Sequence, residues 1–265
     1  MMKLYTWNAL DYEKNSAAQQ SWARELVAKL NLQGDERILD LGCGDGKITA
    51  EIAGYVPRGT VVGIDTSEAM IALAHTRYSQ DAFPNLQFLV ADACQLPFED
   101  QFTLVFSNAA LHWIQDHLSV LHNISRSLQS GGKILLQMGG KDNANEFFSL
   151  VEAMTKSSQW GSYFTDFSFP YFFYSPQEYQ PWLNAVGLKP IRLELIEKDM
   201  THQGAEGLAG WIRTTGLPYT QRLPEAMREP FITELVERYL AGHPMTEERL
   251  THVQMIRLEV EAEKP

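Results

Sequence analysis

The stretch Arg37-Ile-Leu-Asp-Leu-Gly-Cys-Gly-Asp-Gly46 decides the fold of this 265-residue chain. Residues 37–41 are a short apolar run typical of a buried β-strand. Glycines follow at positions 42, 44 and 46, and residues 47–55 have a helix-like pattern. Glycines at a strand-to-helix turn let the backbone bend sharply and approach a ligand closely, because no Cβ atom obstructs it. The stretch therefore predicts the ligand-binding turn of an α/β fold.

Strand and helix patterns alternate on both sides of this turn. Besides the strand at 37–41, strands are predicted at 60–65, 86–90, 102–107, 133–138, 189–197 and 253–261. Besides the helix at 47–55, helices are predicted at 16–30, 67–78, 115–128 and 176–186, with a helical stretch at 204–242. Apolar strands that alternate with helices form a parallel sheet covered on both faces. We expect a doubly wound, mostly parallel, seven-stranded sheet.

Two segments interrupt the alternation. The first is polar and then rich in aromatic residues between 160 and 174, and the second is mostly helical. The expected organisation is a leading helix and ligand-binding core at 1–138, a lid insertion at 139–175, a continuation of the core at 176–198, a helical lid insertion at 199–247, and the last core strand at 248–265. The aromatic cluster either forms ordinary core or lines a substrate chamber.

Composition narrows the classes of partner. The chain has 33 acidic and 22 basic residues, a formal net charge of −11, which is the wrong sign for binding nucleic-acid phosphates or anionic lipid. The two cysteines, Cys43 and Cys94, have no metal-spaced neighbours, so neither a disulfide framework nor a metal site is expected. No run approaches the roughly 18 apolar residues of a membrane span, and the N-terminus lacks a secretory pattern. These features predict a soluble, cytoplasmic protein that acts on a small molecule, and they leave its oligomeric state open.

The spacing of the glycines argues against a nicotinamide dinucleotide. In the dinucleotide pattern G-x-G-x-x-G the third glycine would stand at position 47, which is Lys47 here, and the glycine falls one residue earlier at Gly46. Asp40 and Asp45 flank the turn, and their carboxylates would repel a pyrophosphate but attract an ammonium group. The turn therefore favours a nucleoside cofactor that has a cationic tail.

Polar side chains also follow the next three strands. Asp65 ends the second strand, at the spacing from the glycines where an acid accepts hydrogen bonds from ribose hydroxyls. Asp92 follows the third strand and could accept from an adenine amino group, while the amide of Ala93 meets the ring. Asn108 follows the fourth strand. Because the carboxyl ends of parallel strands meet at one edge of the sheet, we expect these groups to converge on one crevice.

These segments resemble the class I, Rossmann-like S-adenosylmethionine (SAM)-dependent methyltransferases over roughly residues 10 to 138. I-L-D-L-G-C-G-D-G is similar to their glycine motif, V-V-G-I-D-T-S-E-A-M to their ribose motif, and V-A-D-A to their adenine motif. The resemblance implies a Rossmann-like methyltransferase sheet with SAM as the cofactor. It also implies that the cofactor is bound by Gly42, Gly44, Asp65, Asp92, Ala93 and Asn108, with Thr66 and Met70 beside the nucleoside. Asp40, from its charge beside the turn, is a further candidate for cofactor binding.

Two further segments, Tyr12-Glu-Lys-Asn-Ser and Phe106-Ser-Asn-Ala-Ala-Leu-His-Trp-Ile, resemble the trans-aconitate and juvenile-hormone-acid methyltransferases. That group methylates carboxylates of small molecules. The resemblance implies that Gln19, with Gln20 as its rival, and Trp113 hold the substrate carboxylate. A carboxylate needs no general base, whereas a phenol, an amine or a carbon acid would use one, which His112 could supply.

Three alternatives remain open at the level of sequence. The chain could methylate a carbon, a nitrogen or a phenol with His112 as the base. It could be a SAM-binding sensor or partner module without catalysis, or a nicotinamide dehydrogenase. In the second insertion, Trp211, Arg213 and Tyr219 are candidate substrate contacts, with Arg213 as a counter-ion for a carboxylate.

Overall fold

The computed structural model describes residues 17–265, with side chains from residue 21 onward. The strands are β1 (Arg37–Leu41), β2 (Thr60–Asp65), β3 (Leu86–Val90), β4 (Phe102–Asn108), β5 (Leu128–Gly139), β6 (Lys189–Gln203) and β7 (Leu250–Glu263). The helices are α1 (Ala17–Ala28), α2 (Lys47–Tyr55), α3 (Glu68–Arg77), α4 (His117–Ser127), α5 (Asn145–Thr155), α6 (Pro176–Ala185), α7 (Gly204–Thr215), α8 (Leu217–Thr220) and α9 (Glu225–Gly242). Short 3₁₀ helices lie at Leu111–Trp113 and Gly161–Phe164.

All seven strands belong to one sheet in the order β3-β2-β1-β4-β5-β7-β6. The pairs β1 with β2, β1 with β4, β2 with β3 and β4 with β5 are parallel, and β7 runs antiparallel to β5. From β1 the chain adds β2 and β3 on one side and then crosses to add β4 on the other side. Open α/β sheets bind their ligands beside the strand where the order reverses in this way. The structure confirms the predicted doubly wound, mostly parallel, seven-stranded sheet.

Hydrophobic residues cover both faces of this sheet. Along β1, Ile38 belongs to one buried cluster and Leu39 and Leu41 belong to another, because successive side chains of a strand point to opposite faces. Ile52 of α2 packs in the first cluster and Leu121 of α4 in the second. The central strands are mostly apolar because helices cover them from both sides.

The described chain divides into two compact units. The core unit contains Gln19–Lys141, Tyr171–Ile196 and Arg257–Pro265. The second unit contains Asp142–Pro170 and Glu197–Ile256, and it has its own aromatic core. In that core Trp160 meets Phe231 at 5.1 Å between ring centroids and donates its indole N–H to Glu234 over 2.8 Å. Phe147 packs on Trp211 at 4.9 Å between centroids.

Several elements are longer than the sequence predicts. The predicted strand 133–138 becomes β5 from Leu128, because pairing with β4 continues across a register shift between Phe102 and Leu104. β6 continues to Gln203 and β7 begins at Leu250, beyond the predicted 189–197 and 253–261. Most side chains of β6 are partly or fully exposed, and many of its residues are polar. A hydrophobicity pattern therefore does not detect the full length of the strand.

Substitution of Gly46 tests how tightly the glycine turn is packed. Its φ is +79°, and an added Cβ atom would lie 2.5 Å from Cζ of Phe88. Gly131 also has φ +79°, but an added Cβ there meets nothing within 4 Å. We expect Gly46→Ala to lower the free energy of unfolding by about 3 kcal/mol, from backbone strain and overpacking together. Gly131→Ala should lower it by only about 1 kcal/mol, from strain alone.

Urea denaturation of the two variants and the wild type measures both losses. Equal losses in Gly46→Ala and Gly131→Ala would show that contact with Phe88 does not require glycine at position 46.

Candidate cofactor and substrate site

The glycine turn is fastened to the end of β2. The backbone N–H groups of Gly42 and Cys43 both donate to the carbonyl oxygen of Ile64, over 2.8 and 2.9 Å. The N–H of Gly44 donates to Oδ2 of Asp65 over 3.1 Å. The end of β2 therefore fixes the path of the turn through three hydrogen bonds.

Asp65 also organises the chain that follows it. Its Oδ1 accepts the N–H of Ser67 over 2.8 Å, next to the start of α3. Burial raises the pKa of Asp65, while the hydrogen bonds from Ser67 and Gly44 oppose that rise. Each carboxylate oxygen has lone pairs for more than one donor. The side chain that sequence assigns to the ribose thus also connects the glycine turn to α3.

Two glycines of the turn differ in what surrounds them. Gly42 has φ +74°, and an added Cβ would lie 2.2 Å from Cβ of Ala110, so the turn packs directly on the loop after β4. Gly44 has φ +55°, and an added Cβ would meet nothing within 4 Å. The space beside Gly44 is a cradle that a side chain would fill, and it lies next to the Asp65 carboxylate. This arrangement fits a nucleoside cofactor held close to the backbone.

The two acids that flank the turn are engaged differently. Asp45 forms an ion pair with Arg77, with 3.0 Å between Oδ2 and Nη1, so its charge is already compensated within the protein. The interpretation that both acids attract the cofactor's cation therefore fails for Asp45. Asp40 is buried and accepts the hydroxyl of Thr49 over 2.7 Å. Burial raises the pKa of Asp40 to about 7.

The other predicted cofactor contacts follow β2, β3 and β4. Thr66 and Asp92 are partly exposed, and Asp92 accepts the N–H of Cys94 over 2.8 Å. The side chains of Met70 and Ala93 are buried, so Ala93 can present only its backbone to a ligand. Asn108 is the last residue of β4 and is partly exposed. Apart from Met70, which lies in the first turn of α3, these positions lie at or just beyond the carboxyl ends of strands.

His112 and Trp113 lie in the 3₁₀ helix after β4. Nδ1 of His112 accepts the backbone N–H of Gly139, at the end of β5, over 3.3 Å. Burial, followed by the positive charge of Arg257, holds the pKa of His112 well below its usual value. The His112 ring is therefore neutral near pH 7. Because Nδ1 accepts a hydrogen bond, its proton lies on Nε2.

Aromatic rings surround this pair. The rings of Tyr171 and Phe173 are stacked, with centroids 5.6 Å apart, and lie 6.3 and 6.0 Å from the His112 ring. Trp113 makes an edge contact with Tyr171 at 5.0 Å. The aromatic run at 160–174 is therefore shared between the two units. Trp160 packs in the second unit, and Tyr171 and Phe173 lie beside His112 in the core unit.

Sequence reasoning missed a buried contact that positions the 3₁₀ helix Leu111–Trp113. Nε2 of His117 donates to the carbonyl oxygen of Leu111 over 2.8 Å, and Nδ1 of His117 accepts from the hydroxyl of Tyr179. Burial lowers the pKa of His117 to about 4, which keeps the ring neutral. His117 and Tyr179 thereby fix the backbone that leads into His112 and Trp113. An isolated histidine and tyrosine, 62 residues apart, gave no sequence signal of this pairing.

Other predicted contacts are placed as follows. The segment at 12–16 and the side chains of Gln19 and Gln20 lie outside the described residues, although both glutamines belong to α1. Trp211 and Tyr219 are buried in the second unit. Arg213 pairs with Glu206 and Glu229 at 2.5 and 3.4 Å, so it already has carboxylate partners and is a poor candidate for a substrate counter-ion.

Within residues 17–265, no group of three or more His, Cys, Asp or Glu side chains is arranged to hold a metal ion. No helix in the same range is long and apolar enough to cross a membrane.

Known proteins match both the sequence and the fold. Residues 39–136 match the family model described as a methyltransferase domain. The trans-aconitate 2-methyltransferase of Deinococcus radiodurans is 32% identical over 232 residues, which cover 86% of this chain and 87% of that protein. A Bacillus halodurans crystal structure, assigned as a methyltransferase, has a TM-score of 0.64 at 19% identity and covers 92% of this chain and 99% of its own.

A third match shows a cofactor complex on the same fold. The Haemonchus contortus phosphoethanolamine N-methyltransferase 2, solved with S-adenosylhomocysteine (SAH), has a TM-score of 0.61 at 20% identity. The match covers 97% of this chain and 57% of that protein.

The fold and the strand-end site define a SAM-dependent methyltransferase. The chain belongs to the class I, Rossmann-like family of these enzymes, in the group that contains the trans-aconitate methyltransferases. Its cofactor is SAM.

The pKa of Asp40 predicts how cofactor affinity depends on pH. If the Asp40 carboxylate attracts the ammonium group of SAM, binding must favour its ionised form, which becomes populated as the pH rises through about 7. We expect the affinity of the wild type for SAM to rise about threefold to fivefold between about pH 6 and about pH 7.5. Asp40→Asn should bind more weakly at the higher pH and lose most of this dependence. Calorimetric titration with SAM measures both.

Thr49→Val is the matched control, because it removes the hydrogen bond to Asp40 but keeps the acid. Without that bond the pKa of Asp40 should rise further, which moves the affinity change to higher pH. An identical pH dependence in wild type and Asp40→Asn would exclude Asp40 as the partner of the cation.

Proposed function

We propose that the protein transfers the methyl group of SAM to a carboxylate oxygen of a small-molecule acceptor in the cytoplasm. The observation that supports this most strongly is the state of His112. Its Nδ1 lone pair accepts the N–H of Gly139, and its pKa lies well below the usual histidine value. A weakly basic ring whose free nitrogen is already protonated can donate a hydrogen bond but cannot take a proton from an acceptor.

This state fits a carboxylate better than the alternatives. A carboxylate is ionised at neutral pH and attacks without a base, and its oxygens accept hydrogen bonds. The N–H on Nε2 of His112 can therefore orient the acceptor. A phenol, an amine or a carbon acid would need a base that His112 does not provide. The similarity to the trans-aconitate 2-methyltransferase of Deinococcus radiodurans supports the same acceptor class.

The cofactor roles follow from where the strand-end residues lie. Gly44 leaves the backbone open to the methionine part of SAM, while Gly42 packs the turn against Ala110. Asp40 is the candidate partner for the ammonium group of SAM. Asp65 receives the ribose hydroxyls while it holds the turn. The adenine lies near Asp92 and the amide of Ala93, with Thr66, Met70 and Asn108 completing the site.

The acceptor site is assigned to the helix after β4. Trp113 and His112, with Gln19 from α1, bind the acceptor carboxylate, and the stacked rings of Tyr171 and Phe173 lie alongside. SAM supplies a methyl group that positive sulfur already activates. The protein aligns the attacking oxygen with that methyl group and excludes water with its aromatic rings. No proton needs to move, because the acceptor arrives ionised.

His112 variants separate the carboxylate proposal from a base mechanism. We expect His112→Gln, which retains an N–H donor, to keep turnover within about tenfold of the wild type on a carboxylate acceptor. His112→Ala should lose less than about a hundredfold. Because the pKa of His112 lies well below its usual value, its neutral form persists from about pH 6 to about pH 9 and adds no pH dependence there.

Transfer of labelled methyl from SAM to a panel of mono-, di- and tricarboxylic acids, including trans-aconitate, measures these rates. His122→Ala is the control, because His122 is an exposed histidine of α4. Losses above about a hundredfold in both His112 variants, with SAM affinity intact, would indicate a base mechanism instead. Tight SAM binding without turnover on any acceptor class would support a non-catalytic module.

A further inference from the structure

β6 forms one edge of the sheet. It spans Lys189–Gln203, 15 residues, whereas β3 at the opposite edge has only 5 residues. β6 is the last strand in the sheet order, so within residues 17–265 no further strand pairs with its outer side. The backbone N–H and C=O groups along such an edge can pair with a strand of another chain. β6 is therefore a candidate interaction surface.

The first half of β6 exposes apolar side chains. Ile191 is 50% exposed and Leu195 is 39% exposed, although both are large hydrophobic residues. They lie on the same face of the strand as Leu193, because successive side chains alternate between the two faces. Leu193 packs against the core. A strand that paired with this edge would cover Ile191 and Leu195, so the exposed apolar area favours pairing.

The charges of β6 are complementary to themselves. Charged residues usually protect an edge strand from pairing, but here opposite signs are placed symmetrically about Leu193. In an antiparallel pair of two β6 strands centred on Leu193, residues at equal distances from the centre lie opposite each other. The opposite pairs are Lys189 with Glu197, Ile191 with Leu195, and Arg192 with Glu194. Each of these contacts occurs twice in a two-fold dimer.

Neighbouring registers lose this complementarity. A pair centred on Arg192 places two arginines opposite each other, and a pair centred on Glu194 does the same with two glutamates. Like charges directly opposite each other on paired strands are destabilising. Charge therefore selects the register centred on Leu193, which also brings the exposed Ile191 next to an apolar partner.

We propose that two copies of this chain associate through antiparallel pairing of their β6 strands, centred on Leu193, so that the two sheets join into one. The partner is a second copy because a two-fold interface needs a surface that is complementary to itself, and this segment meets that requirement. Arg192 pairs with Glu259 of β7, which holds its side chain in place beside the edge. The inference does not depend on the acceptor of the methyl group.

Sedimentation velocity of the wild type between about 1 and about 100 μM measures the association. We expect a species of twice the mass of the 265-residue chain. Ile191→Lys places a charge opposite Leu195 and should weaken the dimer by about thirtyfold or more. Tyr55→Lys is the matched control and should leave the dimer unchanged, because Tyr55 is an exposed hydrophobic residue of α2, on a different element.

An exchange of two exposed charges tests the register. Lys189→Glu and Glu197→Lys, each made singly, place like charges opposite each other at two symmetric positions. Each should weaken the dimer about fivefold to thirtyfold. The double variant restores opposite charges and should recover the wild-type affinity to within about threefold. Thermal melting verifies the fold of every variant, and their affinities for SAH should stay within about threefold of the wild type.

Three results would overturn the proposal. The first is a wild type that stays monomeric at about 100 μM. The second is a dimer that Ile191→Lys leaves intact, because its interface would then lie elsewhere. The third is a double variant that associates as weakly as the single variants, because the strands would then not pair in the register centred on Leu193.

Discussion

The contact between the N–H of Gly44 and the carboxylate of Asp65 is the constraint on which the rest of the site depends. It joins the turn after β1 to the end of β2, and the second oxygen of the same carboxylate holds the start of the segment that enters α3. Gly42 then packs on Ala110, which connects the turn to the loop that carries His112 and Trp113. The residues that we assign to the cofactor and to the acceptor are therefore positioned by one connected set of contacts.

The charge state and the partners of the ionisable side chains around this framework depend on how deeply each side chain is buried. Asp45 and Glu259 are paired with basic side chains inside the protein, which avoids the cost of an isolated buried charge. Asp40 has a raised pKa and His112 a lowered one, because burial disfavours the charged form of each group. The neutral state of His112 supports the proposed carboxylate acceptor over one that must be deprotonated.

The sequence predicts the sheet well, because strands and helices depend on local patterns, and the residues that we assign to the cofactor are likewise found from local patterns. The apolar strands, the glycines at 42, 44 and 46 and the acid at Asp65 are all readable without tertiary contacts. The partners of Asp45, the clamp of His117 on Leu111 and the place of Arg257 beside His112 depend on residues far apart in the chain. One signal was available for Arg257: it alternates in phase with the buried Val253 and Met255, on a strand whose inward positions should be apolar.

Calorimetric titration of SAH into the wild type, Asp65→Ala and the exposed control Asp81→Ala tests the central claim most directly. If Asp65 both holds the turn and receives the ribose, removing its carboxylate takes a charged hydrogen-bond acceptor away from the glycine turn and from the ribose hydroxyls. We expect Asp65→Ala to weaken SAH binding more than about a hundredfold while its circular dichroism spectrum stays native, and Asp81→Ala to bind normally. A folded Asp65→Ala protein with wild-type affinity for SAH would contradict it.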